Sequence, residues 1–398
     1  MSDHLNKPIW EKYDHLEMAA TADPASILTE LRAQCPVGRS EQHGGFYVIT
    51  RYADCIAAAK SPCLTSSPDR GPGPGFPFSF EVLRMGMITD DGERHRDFRL
   101  PLAKFFSLKQ AAGLEPKIRQ ICDLAIDSFI ERGEADLVTQ FTNELPAVLI
   151  SELLDLPFER RHEIQGWASQ MVATADPEFM HKLAGYTEEL YELRRRKPGQ
   201  DIASQMLNFA IQGRPITKDE WRGLVLLLIL GGLDTTANGG GFMLQMIAQQ
   251  DTLRSYLIEH PDRTEQVVKE LLRLISPVPQ HSRGVIEDVE VGGQKFKKGD
   301  VVQFSWLAAN HDPEAFENPD TLDPQRKVDH HLAFGTGPHR CLGASLALVE
   351  MKVMAQQILS RLPDYRLVEG GVELFPSLNR GMKHLRVTFT PGIRSVTG

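Results

Sequence analysis

The chain has 398 residues, 41% hydrophobic and 24% charged, a composition that excludes collagen, a coiled coil and intrinsic disorder. Its 44 basic and 53 acidic residues give a net charge of −9, which argues against a general nucleic-acid binder. Five cysteines without CxxC spacing favour neither a disulfide scaffold nor a structural zinc site. The N-terminus lacks a signal-peptide pattern, and the longest apolar run, 224–233, is shorter than the ~20 residues that cross a bilayer. We expect a single cytoplasmic domain over residues 1–398 that binds no membrane.

The order of apolar, turn and capping residues predicts a mainly α protein with small β-sheets. Four prolines and three glycines within 68–77 exclude a helix there, whereas a capping box at Thr217–Glu220 begins an unusually long apolar helix. The predicted elements, in chain order, are a strand at 46–50, a loop at 68–77, helices from about 92, through 118–129 and at 177–196, 218–250, 252–260 and 264–275, hairpins within 283–305, a helix at 344–361, and weak strands near 365 and 385–389.

The most specific segment is 334–343, Phe-Gly-Thr-Gly-Pro-His-Arg-Cys-Leu-Gly, which places Cys341 between a glycine-shaped loop and a helix. A helix N-terminus favours thiolate over thiol, and a lone thiolate on a rigid loop suits a soft metal or haem iron. A zinc site built from His330, His331, His339 and Cys341 is the alternative, although its spacing matches no usual zinc arrangement. His331 is more plausibly a support for the cysteine loop.

This segment resembles the haem-binding loop of soluble bacterial cytochrome P-450 monooxygenases, FGxGxHxCxG, and further motifs follow in the family's order along nearly the whole chain. The resemblance implies the P-450 fold, with a large helical body, a long central helix and a small β-rich region. It also implies haem b with Cys341 as the iron ligand. The other cofactor-binding residues that it implies are Phe334 and Gly343 in the loop, and His95, Arg99, Arg283 and His339 at the haem propionates. His281, where some relatives carry an acid, receives no firm role.

Glu270 and Arg273 resemble the family's ExxR pair. A spacing of three residues puts both side chains on one helix face, and the intervening leucines make the surroundings apolar. The resemblance adds Arg326 as the third member of a buried network that fixes the cysteine loop. Pro324 departs from the family's pattern, where an aromatic residue is more common.

The run 231–236, Gly-Gly-Leu-Asp-Thr-Thr, resembles the family's oxygen-binding groove. Each glycine costs a helix interior about 1 kcal/mol relative to alanine, so close approach of a flat cofactor or of another helix has to compensate. Asp234 and Thr235 are the predicted catalytic residues, which would relay protons to bound oxygen. The three glycines at 239–241 receive no secure interpretation.

The resemblance implies insertion of one atom of dioxygen into a C–H bond. The chain has no Gly-rich Rossmann fingerprint, so two electrons are expected from an external ferredoxin and its reductase. A basic docking face is predicted from Lys104, Lys109, Lys117, Arg119, Arg340 and Lys352. A haem sensor or carrier and a hydrogen-peroxide-dependent peroxygenase are the alternatives, both disfavoured by the Asp234–Thr235 pair.

The predicted substrate is a small lipophilic molecule, with a terpenoid as the leading choice and aromatic compounds, steroids and fatty acids as open alternatives. Residues 226–238, LLLILGGLDTTAN, are similar to camphor- and cineole-hydroxylating members of the family. Arg70 or Arg84 could bind a substrate carboxylate. The predicted pocket is lined by Phe76, Phe78, Phe80, Val82, Met85, Ile88, Leu228, Gly231, Gly232, Thr235, Val278 and Pro279.

Overall fold

The computed structural model describes residues 11–21, 23–71, 84–174, 176–375 and 377–395. The α-helices are α1 His15–Ala20, α2 Pro24–Gln34, α3 Tyr52–Lys60, α4 Gly92–Ala103, α5 Leu108–Asp127, α6 Glu144–Leu154, α7 Arg161–Thr174, α8 Pro177–Arg196, α9 Ile202–Met206, α10 Lys218–Gln249, α11 Asp251–Glu259, α12 Thr264–Ile275, α13 Trp306–Asn310 and α14 Ala344–Arg361. The strands are β1 Val37–Ser40, β2 Phe46–Ile49, β3 Leu64–Thr65, β4 Glu134–Asp136, β5 Ala210–Ile211, β6 Arg214–Pro215, β7 Gln280–Val285, β8 Val289–Val291, β9 Gln294–Phe296, β10 Val301–Ser305, β11 Arg366–Phe375 and β12 Gly381–Thr388.

The strands form small sheets at the edges of the helical body. The largest sheet has the order β1-β2-β10-β7-β3, in which β2 and β10 are parallel and the other neighbours antiparallel. A second sheet has the order β11-β12-β4, and β5–β6 and β8–β9 are two-stranded hairpins. The prediction of a mainly α fold with small sheets is therefore confirmed.

Helix α10 is the central element of the fold. Thr217 and Glu220 form the predicted capping box, with reciprocal side-chain to backbone hydrogen bonds at the helix N-terminus. The helix contacts α6, α7, α8, α12 and α14. Its length and apolar composition would suffice to cross a membrane, but 78% of its most apolar stretch is buried within the protein. Burial in the core accounts for that composition.

The glycines of α10 let neighbouring elements approach closely, and they do not break the helix. A Cβ on Gly232 would lie 2.4 Å from Cδ1 of Ile150 in α6. A Cβ on Gly240 would lie 2.7 Å from Sδ of Met354 in α14, and one on Gly241 would lie 3.0 Å from a sulfur in β12. Close packing thus explains the second glycine cluster, which the sequence left without an interpretation.

Several predicted element ends agree with the structure. Helices α8, α12 and α14 have the predicted limits, and β2 ends one residue earlier than predicted. The predicted loop at 68–77 is described only as far as Gly71, and its remainder lies outside the described residues.

Candidate functional site

The cysteine loop is held by its own backbone. The Cys341 N–H donates to the Phe334 carbonyl at 2.8 Å and closes the loop. Gly335 and Gly337 have φ values of +63° and +70°, which favour glycine. A Cβ on Gly337 would also lie 2.9 Å from the Ala59 carbonyl oxygen. The glycines of the motif therefore set the path of the chain toward Cys341.

Cys341 precedes α14, whose N-cap is Gly343. Burial raises the pKa of the Cys341 thiol, while the Gly343 N–H and the positive charges of Arg340 and Arg99 lower it. The N–H group at the start of the helix thus favours the thiolate, in the predicted direction, but enclosure of the sulfur by the protein has the larger and opposite effect on the pKa. The side chain still has accessible surface. A metal ion that coordinates the sulfur would deprotonate it.

Four basic side chains come together from three parts of the chain. His95 and Arg99 lie on α4, Arg283 lies on β7, and His339 belongs to the cysteine loop. The rings of His95 and His339 are 4.5 Å apart between centroids. Burial, together with the positive charges of His339 and Arg99, lowers the pKa of His95 to about 4. Burial lowers the pKa of Arg283 to about 10.

This basic cluster has few acidic partners. Within the described ranges only Asp91 pairs with it, through His339 Nε2 at 3.0 Å, and no carboxylate forms an ion pair with Arg99 or Arg283. Their guanidinium groups donate to carbonyl oxygens, Arg99 to Arg340 at 2.5 Å. Nε2 of buried His95 has no hydrogen-bond partner among the residues that the structure describes. The unpaired positive charges of Arg99 and Arg283 and the unpartnered His95 nitrogen fit a cofactor that carries carboxylates, as haem does.

His281, which received no firm role in the sequence analysis, accepts a hydrogen bond on Nδ1 from Nε1 of Trp306, the first residue of α13, at 2.8 Å.

Glu270 and Arg273 form a fully buried ion pair, with 0% of either side chain exposed. Arg273 donates from Nε and Nη2 to the two Glu270 oxygens at 2.8 and 2.9 Å, and Arg326 Nε donates to Oε1 at 3.1 Å. The structure thus brings together the three residues that the sequence grouped.

Asn310 connects this network to the cysteine loop, and sequence reasoning missed it. Arg273 Nη1 donates to the Asn310 carbonyl at 2.6 Å, and the Asn310 side chain accepts from the Leu332 N–H at 2.7 Å. Leu332 lies two residues before the loop motif. The only signal in the sequence was a lone amide directly after the apolar run Trp306–Ala309.

Asp234 and Thr235 are adjacent on α10 but point in different directions. Thr235 Oγ1 donates to the Gly231 carbonyl at 2.8 Å. Asp234 is buried and accepts from Asn379 Nδ2 at 3.0 Å. Burial raises the pKa of Asp234, and hydrogen bonds with Asn379, Ser169 and Asn238 oppose that effect. Asn379 is a second neutral amide that sequence reasoning missed.

The residues predicted for the substrate pocket have different surroundings. A Cβ on Gly231 would meet nothing within 4 Å, so this glycine borders open space, whereas Gly232 packs against α6. Leu228, Met85 and Pro279 are buried, and Ile88 and Val278 are partly buried. Phe76, Phe78, Phe80 and Val82 lie outside the described residues. Arg70 is exposed, and Arg84 pairs with Asp69.

Three of the six residues of the predicted basic docking face already form ion pairs. Lys117 pairs with Glu152 at 2.8 Å, and Arg119 and Lys352 both pair with Glu115. The other three residues, Lys104, Lys109 and Arg340, are exposed and form no ion pair within the described part of the chain.

The residues of the alternative zinc site do not converge among the described residues. The His330 ring stacks on Phe316 with centroids 4.8 Å apart, and His331 Nδ1 accepts from the Ala333 N–H at 3.2 Å. His339 faces Asp91. A loop cysteine near a cluster of two arginines and two histidines is typical instead of the class of haem-thiolate proteins.

Comparison with known proteins agrees with this class. The sequence model of the family Cytochrome P450 matches residues 139–363, more than half of the chain. Linalool 8-monooxygenase of Pseudomonas putida is 28% identical over 389 residues, covering 92% of this chain and 96% of that protein. Steroid C26-monooxygenase of Mycolicibacterium smegmatis is 29% identical over 399 residues, with 94% and 93% covered. The structure of the Bacillus subtilis polyketide synthase cytochrome P450 PksS superposes with a TM-score of 0.86 at 28% identity, covering 95% of this chain and all of that one.

The chain belongs to the cytochrome P450 family and has its fold. It is a monooxygenase, an oxidoreductase that binds haem b through a cysteine thiolate and acts on a lipophilic substrate with dioxygen.

Proposed function

We propose that this protein hydroxylates a small terpenoid-like molecule, using dioxygen and two electrons from a ferredoxin served by its reductase in the cytoplasm. The observation that carries the proposal is that Cys341 shares its loop with His339, whose ring lies 4.5 Å from that of His95, while Arg99 donates to the carbonyl of Arg340, the residue before Cys341. Arg283 adds a positive charge near His95 and His339. The relative that acts on linalool, a monoterpene alcohol, supports the choice of substrate.

Each residue has a separate role in this proposal. Cys341 holds the haem iron through its sulfur, and the basic cluster binds the haem carboxylates. Bound haem supplies the oxygen-activating chemistry. The buried network around Glu270 and Arg273 keeps the loop in place through Asn310.

Asp234 and Thr235 move protons in the proposed reaction. Burial raises the pKa of Asp234, which makes its carboxyl better able to hold and pass on a proton than an exposed aspartate. The Thr235 hydroxyl donates a hydrogen bond to the Gly231 carbonyl. Rotation about χ1 would break this bond and let the hydroxyl bind a ligand in the open space beside Gly231. Asn379 is a positioning residue, because it fixes the Asp234 carboxylate.

The proposed ferredoxin surface consists of the three unpaired cations Lys104, Lys109 and Arg340. Leu100, four residues before Lys104, is 69% exposed, and Leu108, directly before Lys109, is 76% exposed. Arg340 directly precedes Cys341, and its carbonyl accepts from Arg99, the residue before Leu100. An apolar patch flanked by positive charge suits a partner that is acidic around an apolar centre.

Two experiments test the proposal. Titration of the ferric protein with linalool, a steroid and a fatty acid should give the tightest high-spin shift with the terpenoid. Tighter binding of the steroid would contradict the substrate assignment.

For the partner, Lys104→Gln should slow reduction by an acidic ferredoxin at low salt. Lys117→Gln is the matched control, because Lys117 is already paired with Glu152. Equal rates in the two variants, or rates independent of salt, would contradict the docking surface.

A further inference from the structure

A separate group of metal-binding side chains lies near the start of the described chain. Asp14, His15 and His43 each offer one ligand atom, and these atoms all lie within 4.8 Å of one another. Asp14 and His15 are at the beginning of α1, and His43 lies in the turn between β1 and β2. The group lies outside residues 139–363, the part that the family sequence model matches.

The two carboxylate oxygens of Asp14 make different contacts. Oδ1 accepts from the Leu16 N–H at 2.8 Å and caps α1. Oδ2 lies 3.1 Å from His43 Nε2 and faces the imidazole. The cap fixes the carboxylate, so that its second oxygen is held in position toward the histidines.

The two histidines differ in exposure but face each other. Their rings are 5.0 Å apart between centroids at 62°. The His43 side chain is 37% exposed and gives solvent access to the group, and its backbone has φ +50° within the turn. His15 packs edge-on against Phe46 with centroids 5.6 Å apart.

His15 provides an independent indication of a ligand. The residue is only 3% exposed, and its Nδ1 is buried without a hydrogen-bond partner in the part of the chain that the structure describes. Buried polar atoms in proteins are almost always paired, so an unpaired nitrogen on a ring that faces a second imidazole requires an explanation.

We propose that Asp14, His15 and His43 bind one Zn²⁺ ion, with water as the remaining ligand. Two imidazole nitrogens and a carboxylate oxygen are donors that zinc prefers. Tetrahedral bonds of 2.0–2.1 Å place neighbouring donor atoms about 3.3 Å apart. The observed separation of 3.1 Å between Asp14 Oδ2 and His43 Nε2 is close to that distance. The remaining donor separations are at most 4.8 Å, so small adjustments of the side chains complete the site, and the bound ion connects α1 to the turn between β1 and β2.

Zinc binding to the haem-loaded protein, expressed without a polyhistidine tag, tests the proposal by competition with a chromophoric chelator. Asp14→Asn retains a helix cap, and His43→Gln changes a partly exposed side chain, so both variants are expected to fold. His15 is buried and its replacement risks misfolding, so these two variants carry the test. His162→Gln is the matched control, because His162 also pairs with a carboxylate, Glu144 at 3.3 Å, but is not part of the described three-ligand group.

We expect the wild-type protein and His162→Gln to bind one zinc ion per chain with the same affinity. Asp14→Asn and His43→Gln should each bind at least about tenfold more weakly. The haem absorption spectrum should not change on zinc addition, which separates this site from Cys341. Failure of the wild type to bind one equivalent, or unchanged affinity in His43→Gln, would overturn the proposal, and neither result would affect the proposed hydroxylation.

Discussion

Replacing Glu270 with glutamine leaves the Arg273 guanidinium buried without its opposite charge. Neither side chain has exposed surface, and Arg273 donates to both carboxylate oxygens at 2.8 and 2.9 Å. The amide NH₂ would face a guanidinium donor, so one of these hydrogen bonds is lost as well. Breaking a buried pair by removing one partner costs about 3–5 kcal/mol. A folded domain is stable by about 5–15 kcal/mol, so the loss should be large.

Urea unfolding of the haem-loaded protein, followed by tryptophan fluorescence, measures this loss. Glu163→Gln is the matched control, because Glu163 also pairs with an arginine at a spacing of three, Arg160 at 2.6 Å, but with side chains that are 46% and 34% exposed. Exposed pairs contribute about 0–1 kcal/mol. Equal losses of unfolding free energy in the two variants would refute the reasoning that burial makes the Glu270 pair important.

Three further changes have defined outcomes. Thr235→Ala should release hydrogen peroxide with little hydroxylated product, and product formation at the wild-type ratio to reductant consumed would contradict the proton-relay role. Glu350→Gln should change the pH dependence of unfolding: burial raises the pKa of Glu350 to about 8, so its protonated form stabilises the fold fully below about pH 4.3. That contribution falls by about 1.4 kcal/mol per pH unit as the pH rises toward 8, and parallel wild-type and variant profiles would exclude it. Asn310→Ala should speed haem loss to an apo-globin acceptor, because it removes the 2.7 Å bond to the Leu332 N–H; unchanged haem retention would contradict a link to the loop.

Elements with local signals could be predicted from the sequence. Asp176 caps α8 through the Glu178 N–H, and Thr217 caps α10, so both helix starts depend on residues close in the chain. Helix α6 gave no such signal, since consecutive residues from Leu145 to Ser151 are all buried and no amphipathic period remains. The order of the largest sheet was also hidden, because β2 pairs with β10 more than 250 residues later.

Those site residues that belong to a sequence motif could be predicted. Cys341, Glu270 and Arg273 have a fixed spacing to neighbouring residues, but Asn310 and Asn379 do not. Asn379 acts on Asp234 from 145 residues away, and a neutral amide has no pattern that marks such a contact. The pKa of the Cys341 thiol could not be judged either, since the depth of burial that raises it depends on the whole fold.

The carbon-monoxide difference spectrum of the dithionite-reduced protein tests most directly whether Cys341 is the thiolate ligand of haem in this chain. We expect a strongly red-shifted Soret band that Cys341→Ser abolishes, while Cys122→Ser, at a buried cysteine of α5, retains it. A band at the position of histidine-ligated haem, or a red-shifted band that survives in Cys341→Ser, would contradict the assignment.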